Sequence, residues 1–174
     1  MDNEKKLRAS WIQLSKGAYI GFDANKGEIG FGTREITFGR SVDIRQGMMR
    51  HGEQLHGVGR EYKNKNRTEY YAGEWVHGKR EGNGTEVATS HSYTGQWLAD
   101  KRNGYGRLAY PSGHIYTGYF QNNRYNGQGK MEYPLDRFFE GEWRNNHKWT
   151  GVMTDKKKDC TTDWENGKEV KNTC

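Results

Sequence analysis

Tyr71-Ala-Gly73-Glu-Trp75, Tyr93-Thr-Gly95-Gln-Trp97, Tyr116-Thr-Gly118-Tyr-Phe120 and Phe139-Glu-Gly141-Glu-Trp143 carry one pattern four times: aromatic, any residue, glycine, any residue, aromatic. The closing aromatics are spaced by 22, 23 and 23 residues. Seven residues after each of the first three stands a Gly-x-Gly element, at Gly82/Gly84, Gly104/Gly106 and Gly127/Gly129. A period of this size marks an architecture of stacked repeats, in which each unit buries its apolar face against the next.

The repeat reads as a β-hairpin. Aromatic, glycine and aromatic at i, i+2 and i+4 fall on one face of a strand, with the variable polar residues on the other. The return segments Gly104, Gly106, Leu108, Tyr110 and Gly127, Gly129, Met131, Tyr133 keep the same period of two. Between them lies a polar segment, Val76–Glu81 or Leu98–Asn103, about the length of a hairpin connection. Glycine weakens a strand unless the missing side chain is used. The spacing therefore predicts that aromatic rings from the adjoining hairpin lie flat over the glycines.

Working outward, earlier copies are decayed. Tyr19-Ile-Gly21-Phe-Asp23 precedes Gly30-Phe-Gly32 by the usual seven residues, and Gly47-Met-Met49 precedes Gly57-Val-Gly59 by eight. After Trp143 the pattern shrinks to Thr150-Gly151 and then Thr162-Asp-Trp164. The expected organisation is a capping segment over 1–18, a repeat array over 19–168 that is degenerate at 19–70 and 144–168, and a tail over 169–174. Leu7, Trp11 and Leu14 share a helical face, which favours a short capping helix. Residues 33–46 and 60–70 have no assigned place in the pattern.

Composition agrees with a repeat sheet. The hydrophobic share is only 32% and glycine is frequent, 24 of 174 residues. A single sheet that buries rings in series tolerates this, because each aromatic buries on the order of 150–250 Å². The 6 Trp, 11 Tyr and 6 Phe argue against disorder despite the high charge. Net charge is +6, split +4 over residues 1–70 and +2 over 71–174, with both signs interspersed. Such a balance favours acidic partners and makes nucleic acid an unlikely one. Cys160 and Cys174 come too late and too few for a disulfide framework, and Cys160 falls in a repeat's leading aromatic slot, which suits a small buried hydrophobe. Residues 1–17 contain no continuous apolar run, so a cytoplasmic location is expected.

Two sets of residues are candidate sites. A row of basic turn residues, Lys79, Arg80, Lys101, Arg102, Arg124 and Lys148, should recur at about 10 Å intervals along a sheet of hairpins and could track an anionic surface. The aromatic face, Tyr71, Trp75, Tyr93, Trp97, Tyr116, Phe120, Tyr133 and Trp143, is mostly core, but a single sheet leaves part of it open as a groove for a peptide or helix. Tyr110, Tyr119 and Tyr125 are less bound by the pattern and are expected to be exposed contacts. No catalytic constellation stands out. Gly-x-Gly lacks the third glycine and following helix of a dinucleotide loop, and the six histidines show no ligand spacing, so no metal or cofactor is expected.

Tyr71-Ala-Gly-Glu-Trp-Val-His-Gly-Lys-Arg-Glu-Gly-Asn-Gly84 and Tyr93-Thr-Gly-Gln-Trp-Leu-Ala-Asp-Lys-Arg-Asn-Gly-Tyr-Gly106 resemble MORN repeats, the membrane occupation and recognition nexus module. The resemblance runs from Tyr71 to Gly129, with a decayed copy to about Met153. It implies an elongated, twisted, single-layer antiparallel sheet with a groove along one side. It also implies an interaction or tethering role, at membranes or on cytoskeletal structures in some members; other arrays are fused to enzyme domains. The expectation is an all-β, non-enzymatic scaffold docking a partner protein or peptide in the aromatic groove, with the N-terminal segment capping one end of the sheet and the degenerate C-terminal hairpin either capping the other or mediating homodimerisation. The alternatives are a peripheral module binding acidic lipid through the basic row, and an accessory of an enzyme.

Overall fold

In a computed structural model the described residues are 10–14, 17–21, 29–38, 41–50, 54–64 and 66–174, with side chains described at 44–47, 55–64 and 66–174. The chain divides into two compact units, Met1–Ala88 and Thr89–Cys174. The first holds β1 (Ser10–Leu14), β2 (Gly17–Gly21), β3 (Ile29–Phe38), β4 (Ser41–Arg50), β5 (Gln54–Tyr62), β6 (Tyr70–Val76) and β7 (Lys79–Ala88). The second holds β8 (His91–Leu98), β9 (Lys101–Ala109), β10 (Ile115–Gln121), β11 (Arg124–Tyr133), β12 (Arg137–Arg144), β13 (His147–Asp155), β14 (Cys160–Glu165) and β15 (Lys168–Asn172). Within each unit every strand pairs antiparallel with its chain neighbour. The described residues are all-β, as the period of two requires.

Glycine against glycine sets the register. In the second unit Gly95 faces Gly106, then Gly118, Gly129, Gly141 and Gly151 in turn, a row crossing β8 to β13. In the first unit Gly32, Gly47, Gly59, Gly73 and Gly84 align in the same way. The decayed copies thus keep the glycine that fixes pairing after losing their aromatics. The unassigned residues 33–38 and 41–46 lengthen the β3–β4 hairpin, with Phe38 paired to Ser41.

The tyrosines fill the space above this row. A Cβ on Gly106 would lie 2.6 Å from Cε2 and Cζ of Tyr93, and one on Gly73 would lie 2.5 Å from the Tyr71 hydroxyl. Each ring covers glycines of its own hairpin; the expected donor was the adjoining one. The reason is reach, because the opening tyrosine sits two residues before its glycine on the same strand. The closing ring reaches back instead: Trp143 Nε1 donates to the Gly129 carbonyl at 3.0 Å.

Each tyrosine hydroxyl also finishes a hydrogen bond. Tyr71 donates to the Glu74 carbonyl at 3.1 Å, Tyr93 to Gln96 at 2.9 Å and Tyr116 to Tyr119 at 3.0 Å. The accepting carbonyl lies where register shifts between the glycine and the closing aromatic. On the opposite strand the shift is taken up by the first glycine of Gly-x-Gly, with φ of +58° at Gly82, +92° at Gly104 and +102° at Gly127. That region is open to glycine at little cost. The Glu74 and Gln96 side chains secure the bulge by accepting from the Asn83 and Tyr105 amides at 2.8 and 2.7 Å.

The hairpin connections are tighter than the expected polar segments. Val76 pairs with Lys79, Leu98 with Lys101, Gln121 with Arg124, Arg144 with His147 and Glu165 with Lys168, leaving two-residue turns. Both central residues have positive φ in each, for example +48° and +68° at Ala99-Asp100 and +50° and +70° at Asn122-Asn123. This is the turn whose twist matches that of the flanking strands. Asparagines lock successive turns together. Asn123 Oδ1 accepts from the Arg102 amide and Asn146 Oδ1 from the Tyr125 amide, both at 2.8 Å.

Two terminal expectations are corrected. Among the described residues the region of the capping helix is strand, β1, with Trp11 paired to Ile20; residues 1–9 lie outside the described residues. Pairing satisfies the backbone of a five-residue segment that is too short to hold a helix. At the other end Cys160 is buried as expected but is bonded to Cys174, their Cα atoms 5.0 Å apart. β15 returns the chain along β14, and Thr173 donates its amide to the Thr161 carbonyl at 2.9 Å, so residues 169–172 are strand.

Candidate functional site

Strand alternation splits the basic row. Because Trp75 pairs with Arg80, Trp97 with Arg102, Phe120 with Tyr125 and Trp143 with Lys148, the second residue after each turn lies on the aromatic face. Lys79, Lys101 and Arg124, the first residues after their turns, are exposed on the other. None of the six belongs to a turn, and within a unit they do not share one face. Arg80 lies 5.5 Å from the Tyr71 centroid and Arg102 5.7 Å from that of Tyr93, covering the rings as cations.

Tyr125 occupies the third slot in that series, and this corrects its expected exposure. It is 9% exposed and stacks on Tyr116 with centroids 3.8 Å apart. Its hydroxyl shares a hydrogen bond with that of Tyr110 at 3.0 Å, and burial pushes its pKa upward. Counting two residues from the Asn122-Asn123 turn would have found it. Tyr119 is exposed as expected and meets Tyr105, which sequence reasoning had not selected, edge to face at 5.4 Å. Both lie on the face opposite the rings, so Tyr119 is not part of the groove. Tyr110 is 36% exposed.

Most of the aromatic set is core. Tyr71, Trp75, Tyr93, Trp97, Tyr116, Phe120 and Trp143 are each at most 4% exposed, and Tyr133 is half-buried. In the second unit Tyr93 meets Trp97 at 5.2 Å and Phe120 at 5.1 Å, and Tyr116 meets Phe120 at 5.1 Å and Trp143 at 5.4 Å. All are edge-to-face contacts, worth about 0.5–1.5 kcal/mol each beyond area burial. Burial raises the Tyr93 phenol to about 12 and that of Tyr116 further, with Arg102 pulling Tyr93 the other way.

The face opens where the repeats decay. A cleft of about 410 Å³ in the second unit is lined by Tyr125, Tyr133, Trp143, His147, Lys148 and Trp164 among others. Lys148 Nζ sits 5.0 Å from the Trp164 centroid, 5.3 Å from Phe139 and 5.4 Å from Tyr133. Burial lowers its pKa, the nearby Arg137 charge lowers it further, and Glu169 opposes both. In the earlier hairpins an arginine or tyrosine lies along the rings at this slot; here a shorter register shift and the bare Gly151 opposite Trp164 leave room.

Among the described residues no cluster of histidine, cysteine or acidic side chains could hold a metal ion. Among them, too, no helix is long and apolar enough to cross a membrane. The MORN repeat model matches four successive segments, residues 71–92, 93–115, 116–134 and 139–149. Residues 71–149 therefore carry MORN repeats, the repeat whose glycine row and tyrosine cover are described above. MORN repeats are non-catalytic modules that mediate binding to proteins or lipids. No curated protein matches the chain.

Proposed function

We propose that this protein is a scaffold module that docks a partner protein on the aromatic face of its second unit, at the cleft around Lys148 and Trp164. The observation that carries the reading is a change of use along one face: rings that are closed core from Tyr93 to Phe120 give way to half-buried rings lining a 410 Å³ opening at Tyr133 and Trp164. Mixed aromatic and cationic lining of a concave site is the usual anatomy of a recognition site. The partner's side chains would fill the cleft while Tyr125 and Trp143 form its floor.

The test is a photo-crosslinking amino acid in place of Trp164, expressed in the native cell. A discrete protein adduct is expected, absent when the same residue replaces Val152 or Tyr119. Adducts from all three positions alike, or from none, would end the reading. Lipid binding is the second reading, favoured by the exposed first-after-turn residues Lys101, Arg124 and Lys168. Sedimentation with anionic vesicles that is lost on charge reversal of those three, with Lys148→Met silent, would establish it instead.

A further inference from the structure

One cation of the second unit, Lys148, lines the cleft, and a second, Arg137, lies close by with Asp155 across the strand pair from it. Lys148 extends from β13 over Phe139, Tyr133 and Trp164, and Arg137, at the start of β12 and paired with Tyr133, acts on it as a like charge. Among the described residues neither has a carboxylate within ion-pair distance. Glu169, the acid that Lys148 senses, is on β15 opposite Trp164, and its Oε1 accepts from Asn172 Nδ2 at 2.9 Å. A half-buried ammonium held against three rings has lost much of its hydration, and a second cation nearby makes the position worse. An arriving carboxylate would relieve both.

We infer that the cleft receives an aspartate or glutamate side chain of the partner, its carboxylate bound at Lys148 Nζ with Arg137 as a neighbouring positive charge, and its neighbouring apolar residue packed on Trp164 and Tyr133. This rests on the docking reading and gives it a chemical class, an acidic segment with an adjoining apolar anchor. Recess favours a side chain over a lipid headgroup. Lys148 Nζ lies among rings within a cleft, whereas the cations placed to meet a flat anionic surface, Lys101, Arg124 and Lys168, are on the opposite face or its edge. A carboxylate on a flexible stem can enter the cleft, and a phosphate fixed in a bilayer plane reaches it less readily. Electrostatic attraction in a partly dehydrated site is stronger than on the open surface.

The experiment is selection of a random 16-residue peptide library on the full, disulfide-intact chain, followed by affinity measurement of the selected peptides. Selected sequences are expected to share an Asp or Glu next to an apolar residue. Their affinity should fall at least tenfold on Lys148→Met and several-fold on Arg137→Gln, and stay within twofold on Lys101→Met. Arg137 is exposed, so its variant keeps the test valid if Lys148→Met disturbs folding. Peptides that are neutral, or acidic ones indifferent to both substitutions, would overturn the ionic anchor; if those peptides still need Trp164, the docking reading survives it. Failure to select any peptide, or phosphatidic acid vesicles whose binding needs Lys148 where acidic peptides do not, would also overturn the inference.

Discussion

Gly106→Ala puts one methyl group where the account says a ring must be. The φ of Gly106 is not in the left-handed region, so alanine brings no backbone strain, and the effect is steric. The new Cβ would sit 2.6 Å from Cε2 and Cζ of Tyr93, whose side chain is 0% exposed and fixed by Trp97, Phe120 and the Gln96 carbonyl. If the ring stays, overpacking costs about 1–3 kcal/mol. If it leaves, the loss is about 1.5–3 kcal/mol of burial plus about 1 kcal/mol for the hydroxyl bond. The two routes together bracket a destabilisation of about 1–4 kcal/mol, read from urea unfolding followed by tryptophan fluorescence. Tyr93→Leu shortens the side chain below the point of collision. In the Tyr93→Leu background Gly106→Ala should therefore cost less by about 1–3 kcal/mol, a coupling that only neighbours show. Additive effects, or a Gly106→Ala cost below about 0.5 kcal/mol, would refute the argument.

Ala99 adopts φ +48° in a two-residue turn, so Ala99→Asn should stabilise by about 0.5–1 kcal/mol, checked by the same denaturation; a loss of stability would contradict the turn assignment. The folded Tyr93 phenol titrates near 12, above its ordinary 10, and Tyr116 and Tyr125 are raised as well. Their contribution is full below pH 10, where both states hold the proton, and is lost as pH rises toward 12, because the unfolded chain ionises first. Ultraviolet titration should show a late-ionising tyrosine class, with the denaturation midpoint falling above pH 10. Reducing Cys160–Cys174 should release β15 selectively, so amide exchange should speed up over 168–172 and hold over β8 to β11.

The hairpin period, the buried face and the place of the glycines were legible in the sequence because each follows from alternation within a single strand. What was not legible depends on counting across a turn. The segment Val76–Glu81 looked like a polar loop, but His77-Gly78 alone turns the chain, and its basic residues begin the next strand. A two-residue turn was signalled by Asn122-Asn123 and Asn145-Asn146, since asparagine tolerates positive φ, and hidden at Ala99-Asp100, where alanine does not. Once the turn is set, Arg80, Arg102, Tyr125 and Lys148 share a slot facing the rings. The mixed basic row and the expected exposure of Tyr125 both come from missing this register. The cleft had no local motif at all, being made by a shortened bulge and the replacement of a ring-covered glycine partner by Trp164.

The most direct measurement is the proton spectrum of the glycine row. A glycine Cα beneath a tyrosine face feels the ring current, so the Hα signals of Gly84, Gly106 and Gly129 should be displaced upfield and show cross-relaxation to the ring protons of Tyr71, Tyr93 and Tyr116 in that order. Glycine Hα shifts at ordinary strand values, with no cross-peaks to those rings, would contradict the account at its base.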